Sequence, residues 1–150
     1  MLFKKRKIWV VVADGARARI MKRKGRGQRL ILIEEMDSPD SRRPTRDQGT
    51  GKPGRGFSPG SGRHEFSDPV DWHEAAKANF LKQLARRLLE LDHQGAFDEL
   101  ILVAPPKALG ELRAGLGGHL SGRIKGEINK DLTQLTLHEL AAYLKKVGGW

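Results

Sequence analysis

The residues whose types point most clearly to chemistry are the cations of residues 42–64, called the basic segment below. Its 23 residues hold six Gly, three Pro, six Arg or Lys and one large apolar side chain. Glycine lets a backbone approach phosphate closely, while Arg and Lys neutralise phosphate charge. A solvated loop without a partner is the alternative. A nucleic-acid contact would use Arg42, Arg43, Arg46, Lys52, Arg55 and Arg63, with Phe57 either stacking on a base or holding the loop to the surface.

The positive charge of the chain is concentrated in its first part. The 28 Lys and Arg exceed the 18 Asp and Glu by ten charges. Residues 1–63 contain 17 of the basic residues and only 6 of the acidic ones, so the rest of the chain is close to neutral. An excess of this kind favours an anionic partner such as nucleic acid.

Two further cationic groups precede the basic segment. Arg17 and Arg19 alternate along a predicted strand and therefore lie on one face of the sheet. There they either extend a basic face or pair with Glu34 and Glu35 on the neighbouring strand. A solvated arm that adds long-range attraction to RNA is predicted for Lys4, Lys5, Arg6 and Lys7.

The sequence offers little that could support catalysis. Asp14 ends the first predicted strand, where ribonuclease-H-like enzymes place a metal carboxylate, but two-metal chemistry needs several converging carboxylates. The second apolar strand ends in Ala104-Pro105-Pro106 with none, so a turn-forming role for Asp14 is favoured. The five histidines have no metal-ligand spacing, and the chain has no cysteine. We therefore predict no metal, no cofactor and no enzymatic activity.

The elements that must position these residues begin with three strands. The continuously apolar residues 8–13 predict a central strand buried on both faces. Asp14-Gly15 predicts a hairpin turn because both residues tolerate positive φ. Strands are expected at 16–21 and 30–33, with a basic turn at 22–28 between them.

The second part of the chain predicts alternating helices and strands. Asp71 and Glu74 form an acidic capping-box pattern at the start of a long amphipathic helix. A second central strand covers 100–104 and leads into a helix near Pro106, which ends at Gly117. The alternation at 124–128 predicts a fifth strand, and Thr136 with Glu139 predicts a capping box before the last helix.

This order, βββ, long basic loop, αβαβα, predicts an α/β fold in a single domain of residues 1–150. The basic segment is inserted between the third strand and the first long helix. The expected architecture is a ribonuclease-H-like mixed sheet with helices packed on it, like that of the release-factor central domain.

Three stretches resemble the bacterial family of host attachment proteins: residues 9–20, residues 100–112 from Leu100-Ile-Leu-Val-Ala-Pro-Pro106 through Leu109-Gly110-Glu111-Leu112, and Lys130-Asp131-Leu132-Thr133. That family in turn resembles the central domain of archaeal and eukaryotic release factors and of Pelota. In those relatives the loop after the third strand carries a Gly-Gly-Gln tip that assists ester hydrolysis. Here the basic segment contains no Gly-Gly-Gln, and its only glutamine is Gln48, followed by Gly49. The resemblance therefore does not imply peptide-release activity for this chain.

These observations lead to one main functional prediction, a cytoplasmic, non-catalytic factor that binds ribosomal or transfer RNA. A cytoplasmic location without membrane insertion is expected because the apolar run at 8–13 is too short for a signal-peptide core or a membrane span. One alternative is an attachment factor whose basic face binds an acidic polysaccharide or envelope component. A weaker one is a metal-dependent RNA hydrolase using Asp14.

Overall fold

A computed structural model describes residues 6–24, 29–38, 69–120 and 122–148, of which residues 69–71 are described by backbone alone. The basic segment, with its seven predicted contact residues, lies outside these ranges, as do Lys4 and Lys5. Five strands and three helices make up the described fold. They are β1 (Ile8–Ala13), β2 (Arg17–Lys24), β3 (Arg29–Asp37), α1 (Pro69–His93), β4 (Glu99–Val103), α2 (Pro106–Leu116), β5 (Ile124–Ile128) and α3 (Leu137–Val147).

The strands form one mixed sheet in the order β3-β2-β1-β4-β5. The first three strands form an antiparallel meander, because β1 pairs with β2 and β2 with β3. β4 then pairs parallel with β1, and β5 parallel with β4. The predicted mixed α/β fold is therefore confirmed, with the two apolar runs side by side at its centre.

Both faces of the sheet are covered by helices, which explains why β1 is apolar throughout. Trp9 and Val11 belong to the cluster packed beneath α1 and α2. Val10 and Val12 face the opposite way and pack with Leu140 and Leu144 of α3. Every residue of β1 is buried, as expected for a central strand between two helical layers.

The predicted ends of β2 and β3 and the predicted start of α1 are wrong. β2 continues to Lys24 and β3 to Asp37, because backbone pairing holds charged residues in strands when their side chains reach solvent. The first helix begins at Pro69, so Asp71 lies inside its first turn and is not an N-cap. Proline suits that first position because its missing N–H has no helical acceptor to lose.

The turn after β1 forms as predicted, but the reason for its glycine is different. The Asp14 carboxylate accepts hydrogen bonds from the backbone N–H groups of Ala16 at 2.7 Å and Arg17 at 2.8 Å. Gly15 is not among the described glycines with positive φ. A Cβ at Gly15 would instead lie 2.5 Å from Cγ of Lys77, so glycine is needed for space.

The predicted helix ends are confirmed where local sequence alone specifies them. The Thr136 side chain accepts from the Glu139 N–H at 3.1 Å, and the Glu139 carboxylate accepts from the Thr136 N–H at 2.9 Å. Gly117 and Gly148 follow α2 and α3 with φ of 64° and 77°. Both glycines have positive φ, a backbone conformation that other residues rarely adopt.

Candidate functional site

One edge of the sheet holds both attachment points of the residues between β3 and α1. β1, β3, β4 and β5 all end there, and we call it the C-terminal edge. The Ser38 N–H donates to the carbonyl of Ala16 at 2.8 Å, which holds the end of β3 against the turn after β1. The first turns of α1 pack beside the same turn. Residues 39–68, which include the basic segment, therefore leave and re-enter the fold at this edge.

A groove of about 340 Å³ opens at the C-terminal edge between α1, α2 and the turn after β1. It lies beside the ends of β1 and β4, the adjacent central strands. From β1 the chain continues to β2 on one side of this pair, and from β4 it continues through α2 to β5 on the other side. Such a switch point is where open α/β sheets bind ligands. The charged groups lining it are Asp14, Glu74, Lys77, Lys107, Glu111 and Asp131.

The two lysines of the groove are held by Glu74. Its carboxylate accepts from Lys107 Nζ at 2.6 Å and lies 3.5 Å from Lys77 Nζ. The hydrogen bond from Lys107 and the positive charges of both lysines keep the pKa of Glu74 below its usual value. The same hydrogen bond raises the pKa of Lys107. These contacts join α1 to α2 across the groove. Four carboxylates line the groove against two lysines, so it has no excess positive charge.

The groove also brings two carboxylates to one hydroxyl. Thr133 Oγ1 lies 2.6 Å from Asp131 Oδ1 and 3.4 Å from Asp14 Oδ2. The other oxygen of Asp14 is already occupied by the turn amides. Within the described ranges, no group of three or more His, Asp or Glu side chains could hold a metal ion. This arrangement differs from the converging carboxylates that two-metal chemistry requires.

The structure places Arg19 against the turn before α3, a contact that the sequence did not predict. Its guanidinium donates to the carbonyls of Leu132, Thr133 and Leu135 at 3.4, 3.2 and 2.7 Å. Those carbonyls belong to the turn before α3, where they lack helical partners, and the planar guanidinium reaches them together. Arg19 is therefore tied to the turn before α3.

The glutamates expected to pair with these arginines are placed differently. Glu34 turns to the other face and binds Arg87 of α1 at 2.9 Å. Glu35 lies opposite Arg19 in the strand register, and Asp37 opposite Arg17. Arg17 itself is exposed at the start of β2 and lies at the C-terminal edge, so it remains next to the attachment points of the basic segment.

The described part of the predicted N-terminal arm is attached to the sheet. Arg6 forms a 2.8 Å ion pair with Glu99, and the Lys7 N–H donates to Asp98 at 2.8 Å. Lys7 Nζ donates to the carbonyl of Gly95 at 2.5 Å. The expectation of a solvated arm is therefore wrong for Arg6 and Lys7. The parallel pairing of β1 with β4 brings this strand entry beside the acidic start of β4.

Sequence reasoning missed the groove and the lysines and glutamates that line it. Glu74 and Lys107 are 33 positions apart, and no local pattern connects them. The groove could have been predicted only from the strand order, because side chains that follow adjacent parallel strands meet at one edge of a sheet. Lys107 follows β4 directly, whereas the approach of α1 to the same place depends on how that helix packs.

The fold of this chain is similar to that of part of a translation termination factor. The structure of an archaeal translation termination factor superposes with a TM-score of 0.50 and 16% identity, covering 92% of this chain and 35% of that one. The chain thus spans about a third of the length of that factor. The Aquifex aeolicus Ppx/GppA phosphatase, type II variant, gives a TM-score of 0.39 at 11% identity over 83% of this chain and 35% of its own. A search of curated protein sequences returned no match.

The family is established by sequence. The profile described as "Protein required for attachment to host cells" matches residues 9–144. The chain belongs to that family, and both parts of the resemblance inferred from the sequence are confirmed. No helix among the described residues is long and apolar enough to cross a membrane.

Proposed function

We propose that this protein is a non-catalytic factor that binds structured ribosomal or transfer RNA through the basic segment. The observation that carries the proposal is where residues 39–68 join the fold. They follow Ser38, whose N–H is bonded to the carbonyl of Ala16 at the C-terminal edge, and they precede α1, whose Lys77 lies against Gly15 of the same turn. In our proposal, the six Arg or Lys within 42–64 contact phosphates from a segment joined at both ends to folded elements, β3 and α1.

The likeness to a translation termination factor supports RNA as the anion. That factor shares this fold, and its name links it to translation. In our proposal, Arg17 at the same edge extends the phosphate contact, and Phe57 supplies a face for base stacking. We do not include Arg19 in the proposed RNA contact, because its guanidinium donates hydrogen bonds to backbone carbonyls.

The family description supports a second candidate, an attachment factor that binds an acidic polysaccharide or envelope component. The same cations would serve it, because sulfates and carboxylates also attract Arg and Lys. The two candidates separate by competition. An RNA-binding factor retains its RNA in the presence of a large mass excess of an acidic polysaccharide, whereas a polysaccharide-binding factor releases it.

The absence of catalysis is also part of the proposal. Asp14 uses one carboxylate oxygen to hold its own turn, and the groove lysines are paired with Glu74. The basic segment has no Gly-Gly-Gln. In this proposal the protein holds RNA and leaves its covalent bonds intact.

The test is RNA and ribosome binding measured across a series of salt concentrations. Each phosphate contact contributes roughly 0.7 to 0.9 to the slope of log affinity against log salt. Changing Lys52, Arg55 and Arg63 together to Ser should therefore reduce the magnitude of the slope by about 2 to 3. The six-residue variant, which adds Arg42→Ser, Arg43→Ser and Arg46→Ser, should reduce it by about 4 to 5.

The matched control removes three exposed charges elsewhere, with Lys82→Ser, Arg86→Ser and Lys130→Ser. This control should keep the wild-type slope. Neither segment variant should change the melting temperature, because a segment poor in apolar residues contributes little to the core. Equal binding of wild type and the six-residue variant at every salt concentration would overturn the proposal.

A further inference from the structure

β3 is the outermost strand on one side of the sheet. Its inner side pairs with β2, and no other strand among the described residues pairs with its outer side. With nine residues, Arg29–Asp37, it is the longest of the described strands. Along such a strand, backbone N–H and C=O groups face outward and can pair with another chain. We call this outer side the open side of β3.

The middle of β3 exposes apolar side chains. Leu32 and Ile33 follow each other along the strand and are 38% and 39% exposed. Ile33 has no partner in β2, because the register shifts between Ile20 and Met21. Charged side chains and proline commonly protect an outermost strand from pairing with another chain. Residues 30–33 contain neither, so the centre of the strand is suited to a further pairing.

The charges of β3 lie at its two ends and have opposite signs. Arg29 begins the strand, whereas Glu35 and Asp37 lie near its end, and all three are exposed. Within the described ranges, neither Arg29 nor Glu35 forms an ion pair, while Glu34 binds Arg87 of α1. Opposite charges on neighbouring strands stabilise their pairing. A strand with a basic start, an apolar middle and an acidic end is therefore complementary to a second copy of itself running in the opposite direction.

A groove on the α3 face of the sheet adds positive charge to the basic end of β3. It has a volume of about 440 Å³, runs between β3 and α3, and is lined by Arg29, Leu30 and Lys145. Glu35 lies on the same face, because it is opposite Arg19, whose guanidinium reaches the turn before α3. A two-fold axis perpendicular to the sheet keeps the α3 faces of both copies on one side. The acidic end of one copy therefore lies on the same side of the sheet as the basic groove of the other.

We infer that two copies of this chain form a symmetric dimer by pairing their β3 strands antiparallel, centred on Leu32 and Ile33. The pairing joins two five-stranded sheets into one continuous sheet. It satisfies the outward backbone groups of both strands and sets Arg29 of each copy beside the acidic end of the other. An unrelated extended peptide would supply the backbone pairing without these charges. The dimer is independent of RNA binding, so the proposed function and this inference are tested separately.

The first measurement is analytical ultracentrifugation of the full chain across a concentration series at about 0.15 M salt. At that ionic strength charges more than roughly 8 Å apart are screened, which limits the repulsion between two copies that each carry a net charge of +10. Wild type should show a reversible equilibrium between monomer and dimer without larger species, because a two-fold pair occupies the open side of both strands. A monomer at every concentration would overturn the inference.

Charge reversal tests whether β3 is the surface that associates. The basic-end variant carries Arg29→Glu and Lys145→Glu, and the acidic-end variant carries Glu35→Lys. Each variant alone should raise the dissociation constant of the dimer at least about tenfold, because two-fold symmetry makes each like-charge contact occur twice. An equimolar mixture of the two variants should form a heterodimer about as tightly as wild type, because opposite charges then meet at both contacts.

The matched control carries Lys82→Glu and Lys130→Glu, two exposed cations away from β3. Lys82 lies beside Gly115 of α2, and Lys130 follows β5 on the far side of the sheet. This control should dimerise like wild type. If both charge-reversal variants melt cooperatively, and they either dimerise like wild type or fail to associate when mixed, the inference is wrong.

Disulfide crosslinking locates the two-fold axis. The chain has no cysteine, so a single introduced thiol can form a protein disulfide only with a second copy. In a glutathione redox buffer, Leu32→Cys or Ile33→Cys should give a covalent dimer, since opposed residues of an antiparallel pair have Cα atoms about 4.5 to 5.5 Å apart. Trp72→Cys, at a residue of α1 that is 41% exposed, should stay monomeric. A covalent dimer from Trp72→Cys and from neither β3 variant would overturn the inference.

Discussion

The guanidinium of Arg19 donates a 2.7 Å hydrogen bond to the backbone carbonyl of Leu135. This contact joins the middle of the sheet to the turn from which α3 begins, and the same group also reaches two neighbouring carbonyls. α3 is the helix that covers one face of the sheet. A residue whose charge suggested RNA binding is therefore placed to position a helix.

We expect Arg19→Gln to lower the free energy of unfolding by about 1 to 3 kcal/mol, because a charged donor to several carbonyls is lost. Arg17→Gln is the control, since Arg17 is exposed and its loss should change stability by less than about 0.5 kcal/mol. Chemical denaturation of both variants measures the difference. Equal stability of the two would show that the Arg19 contact does not hold α3.

The centre of the sheet should tolerate no charge. Leu102 is fully buried in β4, beside Val11 of β1 in the parallel register. We expect Leu102→Ala to cost about 2 to 5 kcal/mol through the cavity it leaves. Leu102→Asp should cost more, because an unpaired carboxylate would be buried. Leu32→Ala on the partly exposed β3 is the control, and a melting curve for Leu102→Asp like that of wild type would contradict the prediction.

Gly15 and Lys77 should be coupled energetically. Because an added Cβ would lie within 3 Å of three side-chain carbons of Lys77, Gly15→Ala should destabilise the protein by about 1 kcal/mol. In a Lys77→Ala background the same change should cost less, because the contacts with Cγ and Cδ at 2.5 and 2.8 Å are removed and only the one with Cβ at 2.9 Å is left. A double-mutant cycle by denaturation measures the coupling. Equal costs in both backgrounds would mean that the turn backbone, and not space, requires glycine.

The ion pair of the groove predicts a dependence on pH. A carboxylate whose pKa is lowered by folding stabilises the fold above its unfolded pKa and loses that contribution as pH falls through the folded value. Glu74, with an ordinary pKa of 4.5, is such a group because of its hydrogen bond from Lys107. Lys107→Ala should raise the pKa of Glu74 in a carboxyl NMR titration, while Lys82→Ala should leave it unchanged.

The same pair should affect melting only where both groups are charged. The difference in melting temperature between wild type and Lys107→Ala should be present near neutral pH and disappear as the pH falls through the lowered pKa of Glu74, once its carboxyl group is protonated in both. A difference of the same size at low pH would show that Lys107 acts through packing and not through its charge.

Peptide release should be absent. The protein has no Gly-Gly-Gln, and Gln48 is the only glutamine in the basic segment. We expect no hydrolysis of peptidyl-tRNA on charged ribosomes under conditions in which the protein binds them. Release by wild type that disappears when Gln48 or Arg63 is changed would require a catalytic role for the basic segment.

Much of this fold could be predicted because the deciding interactions are local or periodic. A fully apolar run, as in β1, suits only a strand covered on both faces. The Thr136–Glu139 box closes within four residues, so its pattern specifies the start of α3 without help from the rest of the chain. The excess charge of residues 1–63 is likewise a property of composition alone.

Tertiary structure decided which cations bind other groups within the fold and which remain accessible to a partner. Arg19 and the carbonyl of Leu135 lie 116 positions apart, and Arg6 and Glu99 lie 93 apart, so their pairing depends on how distant elements meet. Lys24 and Arg29 are cations like these, and strand register sets them directly opposite each other. The sequence alone determined the amount of positive charge and most of the strands and helices. The fold determined where that charge remains available, because neutralisation depends on distances that only packing establishes.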